Sequence, residues 1–439
     1  MLRAHVDFSK KLRDWDGFGI CFTDKAVVDP EEYFTLNSNH QQFLRSIFGH
    51  DGLRVGIIRL FLDPFRLDYC QQDNDEEHIE DLNEYHFSDF PSFHTQLARF
   101  ALEMVRSWGG DLKIMLSSLC PPAWMTRQKE LSGRDLDPVN RTHYGRYMVA
   151  WIRYLCATEN LPVYCLSLHN KGEMWQLWDS SGIPLYSNTG LSLYWAPEMV
   201  VDFLKLLRRQ LDHNGLENVG LSPGDTKNWG NFYDWGYADL ILEDPLALNS
   251  VSLLTSNALL SGNENDFCST AIDLFHKRRL DLHAWTTTDE LSSVYPASIC
   301  ALYKLIYRTK VNSVILSTNL KSKEPGFVYS KDFSFLKHIC KAGQPGVGVC
   351  QVACNGPDLY LIGFSSNSTR NADSFVLIND DKCEWKIPIE IRGSASAEFS
   401  VFRTSSSENF VRLPNVPVKE GKIHFLAPAK SVSSFFALI

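Results

Sequence analysis

From residue 16 to about residue 320, short apolar runs alternate eight times with longer stretches of helical period. The runs are Gly17–Phe22, Val55–Leu62, Leu112–Ser117, Val163–His169, Val219–Ser222, Val251–Thr255, Leu282–Thr286 and Val311–Ser317. Short and mostly apolar without alternation, they suit strands buried on both faces, as in a parallel sheet covered by helices. The intervening stretches carry the helices. From Tyr144, the residues Met148, Trp151, Ile152 and Leu155 recur at three and four positions and form one buried stripe. A second helix begins after Trp195 with Pro197 in its first turn, runs through Phe203, Leu207 and Leu211, and stops at Gly215. Eight parallel strands with crossover helices close most simply into a (β/α)8 TIM barrel, an α/β fold.

Beyond about residue 340 the helical period gives way to strict alternation in Leu359–Phe364, Phe375–Ile378, Trp385–Ile391, Phe399–Arg403, Ile423–Phe425 and Val432–Leu438. Turn clusters such as Asn379-Asp380-Asp381 and Lys419-Glu420-Gly421 separate these runs, which read as an all-β sandwich. Ala4–Phe8 alternates too. The expected organisation is a barrel over residues 16–335 and a sandwich built from residues 1–15 plus 336–439.

Composition removes several function classes. A net charge of −9 leaves no basic footprint for nucleic acid, and no apolar run is long enough for a membrane span. The N-terminus lacks the apolar stretch of a signal peptide, so the expectation is a cytoplasmic protein or a secreted one whose leader has been removed. Eleven cysteines lie scattered, and Cys350 and Cys354, a close pair, have no His or second Cys pair beside them. No metal and no cofactor are expected, and oligomeric state is not encoded in any motif.

In a barrel of this kind, working residues sit at the C-terminal ends of the strands. There the chain reads Trp15-Asp16-Gly17-Phe18-Gly19 at its opening and Arg59-Leu60-Phe61-Leu62-Asp63-Pro64 on the second strand. The third strand runs into Cys120-Pro121-Pro122-Ala123-Trp124-Met125, and the fourth ends in Ser167-Leu168-His169-Asn170. Together and in this order, these motifs make the chain resemble glycoside hydrolase family 30 and its clan A relatives over nearly its whole length. The resemblance implies a sugar-binding cleft at the barrel mouth and a side β-sandwich built from both chain ends. It also implies an acid/base Glu after the fourth-strand Asn and a nucleophilic Glu on the seventh strand.

Both carboxylates are replaced. Lys171 follows Asn170, and Thr287, in His283-Ala284-Trp285-Thr286-Thr287-Thr288, falls nearest the nucleophile position. Retaining hydrolysis needs two carboxyl groups about 5–5.5 Å apart. A lysine ammonium, with an ordinary pKa near about 10.4, is a poor proton donor at neutral pH, and a Thr hydroxyl needs an adjacent base. The leading expectation is therefore a carbohydrate-binding protein derived from such a hydrolase. The alternative is an active glycosidase in which Glu173 works with Asp225, Asp289 or Glu290, an inverting arrangement if about 6.5–9.5 Å separates the pair. Glu173 could equally pair with Lys171, and Asp225 could cap a turn. Trp124, Trp175, Trp178, Trp229 and Trp235 fall in presumed mouth loops, where indole faces stack on sugar rings. With Arg59, His169, Asn170, Asn228, His283 and Trp285 they complete the expected ligand cleft for a glycan or glycoside. Lys171 would then be a fixed positive charge able to attract an acidic sugar.

Overall fold

A computed structural model describes residues 2–22, 36–62, 64, 93–185, 191–260, 262, 264–290, 297–318 and 331–438. Its two sheets account for both sequence patterns. Eight strands, β2 (Gly17–Phe22), β3 (Ile57–Phe61), β4 (Lys113–Ser117), β5 (Val163–Ser167), β6 (Gly220–Ser222), β7 (Leu253–Ala258), β8 (His283–Glu290) and β9 (Ser313–Thr318), form one sheet in the order β6-β5-β4-β3-β2-β9-β8-β7. Every pairing in it is parallel. The sheet closes between its end strands through Ser252 N–H to Leu221 O at 2.8 Å and Asn257 N–H to Thr226 O at 3.0 Å. This is the (β/α)8 barrel.

Helices cover its outer face: α1 (Ser38–Phe48), α2 (Phe93–Ser107), α3 (Arg141–Arg153), α4 (Pro197–His213), α5 (Trp229–Asp234), α6 (Tyr237–Glu243), α7 (Pro245–Ser250), α8 (Thr270–His276) and α9 (Ala297–Lys304). The buried stripe of α3 holds Met148, Trp151 and Ile152, and Leu155 follows in a π-helical turn over Tyr154–Thr158. In α4, Pro197 occupies the first turn, and Gly215 follows the helix with φ +70°, a conformation that costs glycine little.

The second sheet has nine strands in the order β15-β14-β17-β12-β11-β10-β1-β13-β16. They are β1 (Ala4–Asp14), β10 (Gly348–Cys354), β11 (Leu359–Ser365), β12 (Ser374–Asn379), β13 (Trp385–Arg392), β14 (Glu398–Thr404), β15 (Val411–Pro417), β16 (Lys422–Ala427) and β17 (Ser431–Ala437). The N-terminal strand β1 pairs antiparallel with β10 and parallel with β13, so both chain ends build this sheet. It folds over on itself: β13 and β16 from one end and β14, β12 and β17 from the other fill one core with Ile387, Ile389, Phe425, Phe399, Phe375 and Phe435. Phe375 and Phe435 stack at 4.3 Å in its centre. Two strands carry no signal in the alternation analysis. β15 contains Pro414 and Pro417, which weaken a strand pattern and are tolerated here because β15 is a sheet edge. β10 is built from small residues around two cysteines, which blur the alternation. Helix α10 (Lys331–Ala342) packs between this sheet and the barrel. No helix among the described residues is long and apolar enough to cross a membrane.

The N-terminal end of the barrel is sealed by one buried carboxylate. Asp16 accepts hydrogen bonds from Trp285 Nε1 at 2.7 Å, His283 Nδ1 at 2.6 Å and Lys113 Nζ at 2.8 Å. The Lys113 ammonium lies 4.7 Å from the Tyr164 ring, which stacks on Trp285 at 5.2 Å. Burial alone would raise the Asp16 carboxyl, but the His283 hydrogen bond and the Lys113 charge outweigh it and hold the pKa at about 2. The same hydrogen bond raises His283 against the opposing effect of burial.

These shifts fix a pH window. Asp16 is depressed, so its contribution is complete above its ordinary value of 3.8 and fades as pH falls towards about 2. His283 is raised, so its contribution is complete below its ordinary value of 6.5 and fades as pH rises through its folded value. Unfolding free energy measured in urea is expected to plateau between these limits. Asp16→Ala, which leaves three donors facing a void, is expected to lower that plateau by about 3 kcal/mol and to remove both slopes. A variant as stable as wild type throughout would show that the floor does not depend on this carboxylate.

Candidate functional site at the barrel mouth

Along the strands, towards the opposite, C-terminal end, side chains alternate between the barrel interior and the helix layer. Cys165, Leu253, Trp285 and Ile315 point inward with Ile57 and Met115. The next inward positions are polar: Arg59, Ser117, Ser167, Ser222, Thr255 and Thr287, all buried. Arg59 organises this layer. Its Nε donates to Ser117 Oγ at 2.9 Å and its Nη2 to Asp225 Oδ2 at 3.0 Å, while Ser167 Oγ donates to the same Asp225 oxygen at 2.6 Å. Arg59 and Asp225 are respectively 2% and 0% exposed, so this is an ion pair removed from water. Asp225 Oδ2 is thus engaged by both neighbours, while its Oδ1 is buried without a partner among the described residues.

Beyond the strand ends, the chains after β5 and β6 continue side by side. Asp225 N–H donates to His169 O at 2.7 Å, and Lys171 N–H donates to Asp225 O at 2.5 Å. Asn170 Oδ1 receives Asn257 Nδ2 at 3.1 Å, and that same amide nitrogen also reaches Thr226 O at 2.8 Å. Lys171 has φ +58° and its side chain is exposed at the lip. Thr287 lies at an inward position of β8, 3% exposed, with its hydroxyl unpartnered.

Glu173 does not pair with Lys171. Its Oε1 accepts Lys227 N–H at 2.6 Å and Asn231 Nδ2 at 2.9 Å, which binds the loop after β5 to α5. Burial raises its pKa, and its Oε2 has no partner. His169 is a buried, neutral ring packed on Trp195 and Tyr237; burial pushes its pKa down to about 3. Gly172 N–H donates to its Nδ1 at 3.2 Å. Gly224, at φ +130°, passes so close that a Cβ there would lie 2.2 Å from the same ring.

The aromatic residues separate by position. Trp175, 59% exposed, and Trp235, 39% exposed, present faces to solvent beside the mouth, and Trp124 is partly buried with an unpartnered indole N–H. Trp178 is buried, its N–H donating to Ser132 O at 2.6 Å, and Trp229 is fully buried, its N–H donating to Thr286 Oγ1 at 3.1 Å. Neither can stack on a ligand in this state. Asn228 caps α5 by accepting Asn231 N–H at 2.7 Å. His283 and Trp285 belong to the floor described above: residues that begin a parallel strand lie at the end of the barrel away from the mouth. Asp289 and Glu290 end β8, and their side chains lie outside the described residues, as does Asp63. Among the described residues no group of three or more His, Cys, Asp or Glu could hold a metal ion.

Asn257, Lys113 and the ring of hydroxyls escaped the motif analysis. The hydroxyls had a signal, since Leu116-Ser117, Leu166-Ser167, Leu221-Ser222, Leu254-Thr255 and Leu316-Ser317 repeat at five strand ends. Asn257 lies two residues beyond the expected end of its strand and had none.

Over its entire length the fold is that of the family 30 glycoside hydrolases. An endoxylanase of that family from Clostridium papyrosolvens C71 matches with a TM-score of 0.75 and 16% identity over 100% of both chains. A family 30 subfamily 8 xylanase from Clostridium acetobutylicum matches at 0.74 and 17%, again over 100% of both. SrfJ from Salmonella typhimurium matches at 0.70 and 15%, over 100% of this chain and 93% of its own. No family model and no curated protein matches the sequence.

Truncating Asp225 tests the organisation of the mouth. Asp225→Ala leaves the Arg59 guanidinium buried and unpaired and is expected to cost about 3–5 kcal/mol in urea unfolding. Arg59→Met with Asp225→Leu, which removes both charges, is expected to recover most of that loss. A single variant within about 0.5 kcal/mol of wild type, the range of an ordinary surface change, would contradict the ion pair.

Proposed function

We propose that this protein binds a carbohydrate at the barrel mouth and is not a retaining hydrolase. The observation that carries the reading is that, among the described residues, each mouth carboxylate has one oxygen engaged by structural partners: Asp225 Oδ2 by Arg59 and Ser167, and Glu173 Oε1 by Lys227 and Asn231, while Asp225 Oδ1 and Glu173 Oε2 have no partner. Lys171 and Thr287 stand at the positions that the family resemblance assigns to the acid/base and the nucleophile. Two of the similar structures are xylanases, which favours a polysaccharide as the ligand class. Trp175 offers an exposed indole face for a sugar ring. The exposed Lys171 ammonium favours acidic over neutral glycans, an advantage that salt would screen.

A second reading rests on Glu173, whose raised pKa and unpartnered Oε2 are properties of a general acid. It requires a second carboxylate to activate water. Reducing-sugar release over a broad panel of glycosides separates the readings: the binding role predicts none from wild type, and turnover abolished by Glu173→Gln would establish hydrolysis.

Titration of tryptophan fluorescence with acidic and neutral oligosaccharides is expected to give saturable quenching, stronger for the acidic set. Trp175→Ala should weaken it at least about tenfold, equivalent to ~1.4 kcal/mol. Flat titrations across both sets would remove the proposal. Lys171→Glu combined with Thr287→Glu is expected to create weak hydrolysis, and silence in a folded double variant would show that these positions do not span a reaction centre.

A further inference from the structure

Away from the mouth, a cleft of about 310 Å³ opens where α10 crosses the outer face of the second sheet. Along β14 and β17, Phe399, Val401 and Phe435 point into the sandwich core. Phe402 and Phe436 point the other way and remain partly exposed, with Phe410 beside them. Phe402 stacks on Phe410 at 4.8 Å and 16°, and Phe436 meets Phe402 edge-on at 6.0 Å. Three aromatic rings therefore line a concavity that no apolar side chain among the described residues fills.

Phe410 holds an unfavourable backbone conformation. Its φ of +50° lies in the left-handed region, which bulky side chains avoid. The surroundings impose it: Arg403 grips Glu408 with two hydrogen bonds of 2.6 and 2.7 Å, Lys331 donates to Ser405 O at 2.8 Å, and Phe410 N–H donates to Thr404 Oγ1 at 2.8 Å. Backbone strain maintained in this way is characteristic of ligand clamps.

The opposite wall is cationic. Lys337 Nζ lies 4.8 Å from the Phe410 ring, and Lys341 donates to His50 O. Both lysines are half-buried, and burial lowers both pKa values, that of Lys341 to about 8, with Lys337 and Arg54 adding repulsion. The carboxylate facing them, Asp51, is fully exposed and bonded to His50 at 3.0 Å, so it neutralises little of this charge. A bare inorganic anion would satisfy the lysines and leave the rings unused. A sugar would find few partners for its hydroxyls, because Ser400 Oγ is already directed to Phe436 O at 3.4 Å. The volume is at the small end for ligand pockets, about 300–1,000 Å³, which suits a single ring.

We propose that this cleft binds a small aromatic carboxylate, with the ring among Phe402, Phe410 and Phe436 and the carboxylate on Lys337 and Lys341. The site is independent of the barrel mouth and of any activity there.

Calorimetric titration of the full chain with benzoate at neutral pH tests it, with benzamide and glucuronate as controls. Benzoate is expected to bind saturably at one site, and each control at least about tenfold more weakly, a difference of ~1.4 kcal/mol. Lys337→Gln combined with Lys341→Gln should weaken benzoate at least about tenfold. Phe410→Gly should do the same while unfolding at or above the wild-type temperature, because glycine accepts φ +50° without strain. That pairing separates lost binding from lost folding. The proposal is overturned if benzoate shows no saturable heat, if benzamide or glucuronate binds as tightly, or if both variants bind benzoate like wild type. A concentration-dependent dimer that Phe410→Gly abolishes would also overturn it, by assigning the cleft to a second copy of the chain.

Discussion

The buried ion pair between Arg59 and Asp225 sets the architecture of the barrel mouth. Transferring both charges out of water carries a desolvation cost that is offset only when their remaining hydrogen-bonding capacity is also used. Ser117 and Ser167 supply part of that capacity, to Arg59 Nε and to Asp225 Oδ2, while Asp225 Oδ1 has no partner among the described residues. Meanwhile the backbone of Asp225 donates to His169 and accepts from Lys171, so one residue links β3 and β5 to the loops after β5 and β6, and Arg59 extends the network to β4 through Ser117. Displacing the carboxylate would strand the guanidinium at the same moment as it released the loop. Asp225 is thus confined to one position, and a nucleophile or base in that position would first have to give up its counterion.

Glu173 shows the same logic in a milder form. Its carboxylate joins the loop after β5 to the start of α5 through a backbone N–H and an amide, both neutral donors. Neutral partners stabilise the charge less than an ammonium would, which is why burial prevails and its pKa rises. Two carboxylates a few residues from the mouth are therefore held in different ways, Asp225 by a guanidinium and Glu173 by neutral donors. Each faces its own structural partners.

The barrel was readable because its strands are buried on both faces and so become continuous apolar runs, and all eight appear within a few residues of their expected ends. β15 was not readable: an edge strand with prolines satisfies the sheet on one side only and leaves little pattern in its side chains. At the mouth, residue type was readable but direction was not. His283 and Trp285 have the chemistry of a sugar site, yet Thr287 lies only two positions beyond Trp285, and that interval along one strand is the difference between the floor and the open end. Trp178 and Trp229 failed as ligand contacts for another reason. An indole in a loop reaches for a carbonyl or hydroxyl, and burial against a neighbouring loop satisfies it as well as a ligand would. Trp175 is set apart from them by its exposure alone.

A shared barrel transmits geometry, not chemistry. Retaining hydrolysis needs one carboxyl to deliver a proton and another to attack, and both requirements fall on side chains that must be free to change charge during the reaction. In this chain Asp225 and Glu173 are held by structural partners, and the exposed mouth residue after Asn170 is a lysine. Fixed charges and an exposed indole suit equilibrium recognition, which rewards a mouth that keeps one electrostatic state. The ion pair that fixes Asp225 in the fold also ties one of its carboxylate oxygens to Arg59 and Ser167, so the stability of this mouth and the position of that carboxylate have one physical origin.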